Sequence, residues 1–192
     1  METLFPIGPV MPYGFSYYPD FITKEQEQKL LEMISGMDLH TLIFQGYEAK
    51  RKVESFGYSY HFDTRTITKG KPIPEQMIFL VRKVEQWFSL PEGSVAQVLV
   101  TEYPIGAVIN WHRDAPPFDK IIGLSLQSDC TFKQRPYDKA KQGRKSVISQ
   151  TVKRRSLYIM QEEAREDWEH STAPVQEIRF SITMRTLRPG FG

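Results

Sequence analysis

From Val95 onward the chain is a succession of short β-branched or aromatic runs, each closed by turn residues, and this succession limits the fold more than any other feature. Val95 to Tyr103, Val108 to Asp114, Ile121 to Leu126, Thr131 to Gln134, Val147 to Val152, Ser156 to Met160 and Arg179 to Leu187 each read as a strand. Two helices precede them. Thr23-Lys-Glu-Gln26 is a capping-box pattern, in which Thr23 and Gln26 satisfy each other's backbone donors. It predicts a helix to about Ser35, stopped by Gly36. Pro74 suits the first position of a second helix, and Met77, Leu80, Val81, Val84, Trp87 and Phe88 give that helix a broad apolar face before Pro91. Between the helices, Val53 to Asp63 alternates aromatic and polar residues and reads as a strand or hairpin. Residues 1–20, with their Pro, Gly and Tyr, read as irregular or edge structure. Helices first and strands afterwards predict an α+β, mainly β chain. No internal repeat or linker divides it, so one domain over residues 1–192 is expected.

Composition adds boundaries rather than direction. With 192 residues, 40% of them hydrophobic, the chain can bury a sizeable core. No apolar run approaches the roughly 18 residues that span a bilayer, so no membrane partner is expected. The segment from Met1 to Tyr18 lacks a basic start and is broken by Pro6, Pro9 and Pro12, which argues against a signal peptide. The lone Cys130 excludes an internal disulfide and fits a reducing cytoplasm, or a nucleus in a eukaryote. It sits in an alternating stretch and reads as a buried structural thiol.

Charge is unevenly spread. Lys133 to Arg155 holds nine basic residues and one acidic one, Asp138, leaving 16 basic against 22 acidic residues elsewhere. Such a segment is either a phosphate-facing surface or a solvated lysine-rich loop, and the residues alone leave both open. No exposed apolar helix face or heptad run announces a partner subunit, so a monomer is expected.

Chemistry enters with His112-Arg113-Asp114. Side chains two apart on a strand share a face, so this histidine and this carboxylate can reach one ion. A second histidine, His170, follows 58 residues later, a gap long enough for several antiparallel strands to return the chain. Two histidines and one carboxylate leave positions open for substrate and oxygen, the arrangement suited to iron(II). The motif alone is weak, since His61-Phe62-Asp63 repeats it. What distinguishes His112 is the later segment Arg179-Phe-Ser-Ile-Thr-Met-Arg185. Its alternation puts Arg179, Ser181, Thr183 and Arg185 on one face and Phe180, Ile182 and Met184 on the other. Such arginines either grip an anion with their forked donors or lie solvated on an edge strand.

Together, His112-x-Asp114, His170 and the Arg179-x5-Arg185 strand resemble the AlkB family of iron(II)- and 2-oxoglutarate-dependent dioxygenases. Thr101-Glu-Tyr-Pro-Ile-Gly106 is similar to the family's Asn-x-Tyr-x-x-Gly, and Arg51 to Tyr60 is similar to its lid segment, placing a substrate lid over residues 50–65. Arg154 to Met160 is similar to the strand before its second metal histidine. The resemblance implies a double-stranded β-helix of the jelly-roll, cupin-like type, buttressed by the helices. It implies iron(II) on His112, Asp114 and His170, with 2-oxoglutarate and O2 as cosubstrates. The far carboxylate of 2-oxoglutarate would lie on Arg179 and Tyr103, with Arg185 near its chelating end. Thr101 and Ser181 stand where the family carries asparagines that touch the cosubstrate.

For most members the resemblance implies a modified nucleic-acid base as substrate. The basic segment 133–155 would then face DNA or RNA, Tyr58 and Tyr60 would hold the base, and Arg51 would meet a phosphate. Arg113 and Asp119 flank the metal motif and are expected at the mouth of the site. The alternatives are an oxygenase of the same fold acting on a protein or small molecule, and a non-oxidative metal-binding protein.

Overall fold

The computed structural model describes residues 10–44 and 47–191. The expectations for the first nine residues fall outside them. In chain order the elements are β1 (Phe15–Tyr18), α1 (Lys24–Ser35), β2 (His40–Phe44), β3 (Tyr47–His61), β4 (Thr66–Lys69), α2 (Glu75–Trp87), β5 (Val95–Tyr103), β6 (Phe118–Leu126), β7 (Cys130–Pro136), β8 (Ile148–Val152), β9 (Leu157–Met160), α3 (Glu162–Glu166), β10 (Trp168–Thr172) and β11 (Arg179–Leu187).

The strands form two antiparallel sheets. The larger runs β1-β9-β6-β11-β5-β3-β2, with β4 hairpinned onto β3, and the smaller runs β10-β7-β8. Facing sheets with these crossovers make the mainly β architecture that the strand pattern predicts, in the double-stranded β-helix form that the resemblance implies. α1 begins at Thr23, whose side chain and that of Gln26 close the capping box, and Gly36 ends it. Pro74 sits one residue earlier than expected, as the cap of α2.

Period-two alternation divides the larger sheet between two tasks. Val98 and Val100 on β5, Ile122, Leu124 and Leu126 on β6, Leu157 and Ile159 on β9, and Ile182 and Met184 on β11 point to the helices. There they form one core with Leu30, Ile34, Met77, Leu80 and Val84. The intervening residues, among them Tyr103, Ile121 and Met160, face the smaller sheet. With Cys130, Phe132 and Val152 they form a second cluster, and Cys130 is buried as expected.

Two expectations need correction and a third is narrowed. Val108–Asp114 is not a strand: it is extended chain tied to β10 by the isolated bridge His112↔His170 and by hydrogen bonds between Ile109 and Thr172. Of the two readings of the N-terminal segment, edge structure holds for Phe15–Tyr18, which adds to the edge of the larger sheet beside β9. The basic segment is not a free surface throughout. Arg154 and Arg155 converge on Glu27, which is 2% exposed and also accepts from the backbone N–H of Gln127. Arg135 pairs with Glu169 and lies over the Trp111 ring. Arg154 and Arg155 tie α1 to the turn between β8 and β9, and Arg135 ties β7 to β10, each pairing with a buried carboxylate rather than standing as free solvated charge. Among the described residues, no helix is long and apolar enough to cross a membrane.

Candidate metal centre

His112, Asp114 and His170 come from opposite ends of the strand-rich half and meet between the two sheets. Their ligand atoms all lie within 4.8 Å of one another. Reciprocal backbone bonds, His112 N–H to His170 O at 3.0 Å and His170 N–H to His112 O at 2.9 Å, hold the two histidines side by side. In an extended chain, residues 112 and 114 share a face whether or not the ladder continues.

Each ligand is prepared for a cation. Nδ1 of His112 lies 2.8 Å from the Asn110 carbonyl, so it carries the proton and leaves Nε2 with its lone pair. Burial, and then the neighbouring His112, push the His170 imidazole down to about 3, which keeps it neutral. Burial works against ionising Asp114, but Arg185, His170 and His112 outweigh it and hold the carboxyl below the usual range. Arg185 donates through Nε (2.9 Å) and Nη2 (2.6 Å) to Oδ1 of Asp114. The other oxygen, Oδ2, is buried with no hydrogen-bond partner among the described residues and lies 3.4 Å from His170 Nε2. A buried carboxylate oxygen left unpaired between two imidazole nitrogens is what a divalent ion would satisfy. The residues fit the metal.

A cavity of about 120 Å³ opens beside these ligands. Arg51, Thr101, Tyr103, Tyr158, Arg179 and Arg185 line it, with Phe132 and Thr172 from the smaller sheet. Arg179 is 3% exposed and donates through Nε to Ser125 Oγ at 2.9 Å, with the Tyr103 ring 4.8 Å away. Among the described residues no carboxylate pairs with it. Three guanidinium groups thus face one carboxylate, Asp114, which Arg185 already occupies.

The family model of the 2OG-Fe(II) oxygenase superfamily matches residues 14–188 of this chain. The chain belongs to that superfamily. Within it the chain is AlkB-like. It is 29% identical over 171 residues to the mouse tRNA (carboxymethyluridine(34)-5-O)-methyltransferase ALKBH8, a match covering 85% of this chain and 25% of that protein. It is 30% identical over 178 residues to the Alkylated DNA repair protein ALKBH8 homolog of Arabidopsis thaliana, covering 82% of this chain and 50% of that protein. The chain therefore spans between a quarter and a half of these relatives. Among solved structures, that of OsALKBH1 superposes with a TM-score of 0.72 at 13% identity, covering 93% of this chain and 99% of the other. A prolyl hydroxylase from Trichoplax adhaerens reaches 0.65 at 14% identity, covering 91% and 83%. Both share the jelly-roll fold.

The remaining expected site residues divide. Arg51, Thr101, Tyr103, Arg179 and Arg185 are cavity-lining, and Ser181 sits opposite Thr101 in the β11–β5 register. The Ser181 hydroxyl reaches the Tyr103 oxygen only at 3.5 Å. Arg113 and Asp119 are not at the mouth. Alternation turns Arg113 away from its neighbours His112 and Asp114, and it stacks 3.6 Å over the exposed Tyr137 ring and donates to the Glu166 carbonyl. Asp119 pairs with Lys120. Tyr58 and Tyr60 lie outside the cavity wall on the β3–β4 hairpin, where Tyr60 packs edge-on to Phe62. That hairpin is nonetheless coupled to the metal centre: Arg185 Nη1 donates to Gln97 Oε1 at 2.6 Å, and Gln97 Nε2 to the Tyr58 carbonyl at 2.7 Å.

Sequence reading missed Arg165. This α3 residue is 6% exposed, and its Nη2 donates to the carbonyls of Asp114 (3.3 Å), Ala115 (2.9 Å) and Phe118 (2.9 Å). It clamps the turn that carries the carboxylate ligand. The signal available was an arginine five residues ahead of His170 in an otherwise acidic run. Arg165→Ala is expected to cost about 3 kcal/mol of stability, because three buried carbonyls lose a charged donor at once. Urea denaturation of the metal-free protein checks this.

Proposed function

We propose that the cavity holds iron(II) on His112, Asp114 and His170 and 2-oxoglutarate on Arg179 and Tyr103, and that the protein oxidises a C–H bond of a modified nucleic-acid base. Arg179 carries this reading: a fully buried guanidinium without a counter-anion calls for an anionic ligand. It stands across the cavity from the metal ligands, so a dicarboxylate would offset the charge excess of the three arginines. Bound together, iron and cosubstrate supply the oxidation, in which O2 converts 2-oxoglutarate to succinate and carbon dioxide while one oxygen atom enters the substrate C–H bond. The chain's own share is to fix the three ligands, keep the His170 imidazole neutral, seat the diacid and exclude water.

Three features favour a nucleic acid. The relatives are named for transfer RNA and for alkylated DNA. Arg51 faces the cavity and forms no ion pair with any described residue, which leaves a cation for a phosphate or another anionic group of the substrate. Lys133, Lys141, Arg144, Lys145 and Lys153 also form no ion pair with the described residues, so part of the basic segment remains for a backbone. A duplex base would leave its stack to reach a centre set this deep.

Incubation with iron(II), ascorbate and 2-oxoglutarate, offering methylated single-stranded DNA, duplex DNA and transfer RNA, tests this by mass spectrometry. Loss of the methyl mass with formaldehyde release, or gain of one oxygen, is expected on one nucleic acid. Succinate formed at equal rates with and without every nucleic acid would point instead to a protein or small-molecule substrate.

A further inference from the structure

Two asparagines that the AlkB pattern places at the cosubstrate are absent, and the hydroxyls of Thr101 and Ser181 stand in their places. A cavity that loses two amides at its diacid end has lost donors, unless another residue supplies them. Tyr158 on β9 is in position to do so. It pairs in register with Gly123 on β6, and both face the cavity side of the larger sheet. A Cβ at Gly123 would lie 2.3 Å from Cζ of Tyr158 and 2.5 Å from both Cε1 and the hydroxyl oxygen. The backbone at Gly123 needs no left-handed conformation, so the glycine is there for the space it leaves. The phenol ring passes through that space. Phe132, with ring centroids 4.8 Å apart, and Phe15, at 6.1 Å, hold it from the side.

The hydroxyl thus directed lines the same cavity as Arg179, and it makes no hydrogen bond to any described residue. Ser125, Tyr103 and Ser181 all have polar partners in this region; the Tyr158 hydroxyl does not. From this geometry we infer that Tyr158, admitted by Gly123, is an additional cosubstrate-binding residue that donates a hydrogen bond to the far carboxylate of the dicarboxylate. Burial, the largest influence, raises the phenol above its ordinary range, so at neutral pH it is a donor. This gives the chain a recognition set of guanidinium, Tyr103 and Tyr158 in place of guanidinium, tyrosine and two amides. The inference rests on the reading of the cavity as a 2-oxoglutarate site.

Calorimetric titration of 2-oxoglutarate into anaerobic, Mn(II)-loaded protein tests it, because binding is read without turnover. Tyr158→Phe keeps the ring and removes the donor. Its Kd for 2-oxoglutarate is expected to rise about tenfold, the equivalent of one hydrogen bond to a charged group, while Mn(II) affinity and thermal midpoint stay at wild-type values. Gly123→Ala, which drives the ring out of its slot, is expected to weaken 2-oxoglutarate at least as much and to lower the thermal midpoint. Adding Tyr158→Leu to Gly123→Ala is expected to restore the midpoint without restoring affinity. An unchanged Kd in Tyr158→Phe, or wild-type affinity in the double variant, overturns the assignment. Wild-type protein that fails to bind 2-oxoglutarate at all overturns the reading beneath it, and the assignment with it.

Discussion

Asp114→Ala is expected to abolish tight binding of iron(II), or of cobalt(II) as its redox-inert stand-in, and with it all turnover. The loss should exceed the roughly 100-fold typical of removing a residue that merely orients a ligand, because Asp114 supplies the only carboxylate of the triad. A second effect accompanies it. Arg185 gives two hydrogen bonds to Oδ1 of Asp114, and among the described residues that carboxylate is the one acidic group lining the cavity with its arginines. Removing it leaves the half-buried Arg185 with Gln97 but without its carboxylate, which should cost about 3 kcal/mol in the metal-free protein. Metal titration and urea denaturation read the two effects separately. Cobalt(II) bound at wild-type affinity by Asp114→Ala would refute the triad.

Arg179→Met is expected to do the opposite to stability. Folding takes this guanidinium out of water and gives it a serine hydroxyl and a tyrosine ring but no carboxylate. A methionine of similar length avoids that desolvation cost, so the variant without cosubstrate should melt at or above the wild-type temperature. Its affinity for 2-oxoglutarate should fall by at least about 100-fold, or some 2.7 kcal/mol, because a buried forked donor to a carboxylate has no substitute. Arg179→Lys should recover little of it, since a point charge lacks the fork. Thermal melts with and without 2-oxoglutarate expose both signs. A variant that is less stable without ligand yet still shifted by 2-oxoglutarate would mean that Arg179 is a structural cation.

Much of this was legible in the sequence, for reasons that differ by element. The Thr23–Gln26 box places α1 because its determinants are local. β5 and β11 could be read because one face is apolar and the other carries chemistry, so the alternation is clean. β10 escaped notice: Trp168-Glu-His-Ser-Thr172 is short and polar, and its burial comes from pairing with β7, a long-range fact. The placement of Arg113 was misjudged although period two already turned it away from His112. The roles of Arg154 and Arg155 depend on Glu27, 127 and 128 residues distant, and no local pattern connects them.

The division of the larger sheet into a helix-facing and a cavity-facing set of side chains has a consequence for how such a protein diversifies. Along β11, Ile182 and Met184 belong to the helix-facing core, whereas Arg179, Thr183 and Arg185 line the cavity. Inheritance can therefore revise the two in parallel, as two texts written on alternate lines. Beside Gly123 and Tyr158, which face the cavity, Ile122, Leu124, Leu157 and Ile159 pack against the helices. A fold that interleaves its lines this way can change what it recognises without renegotiating how it stands.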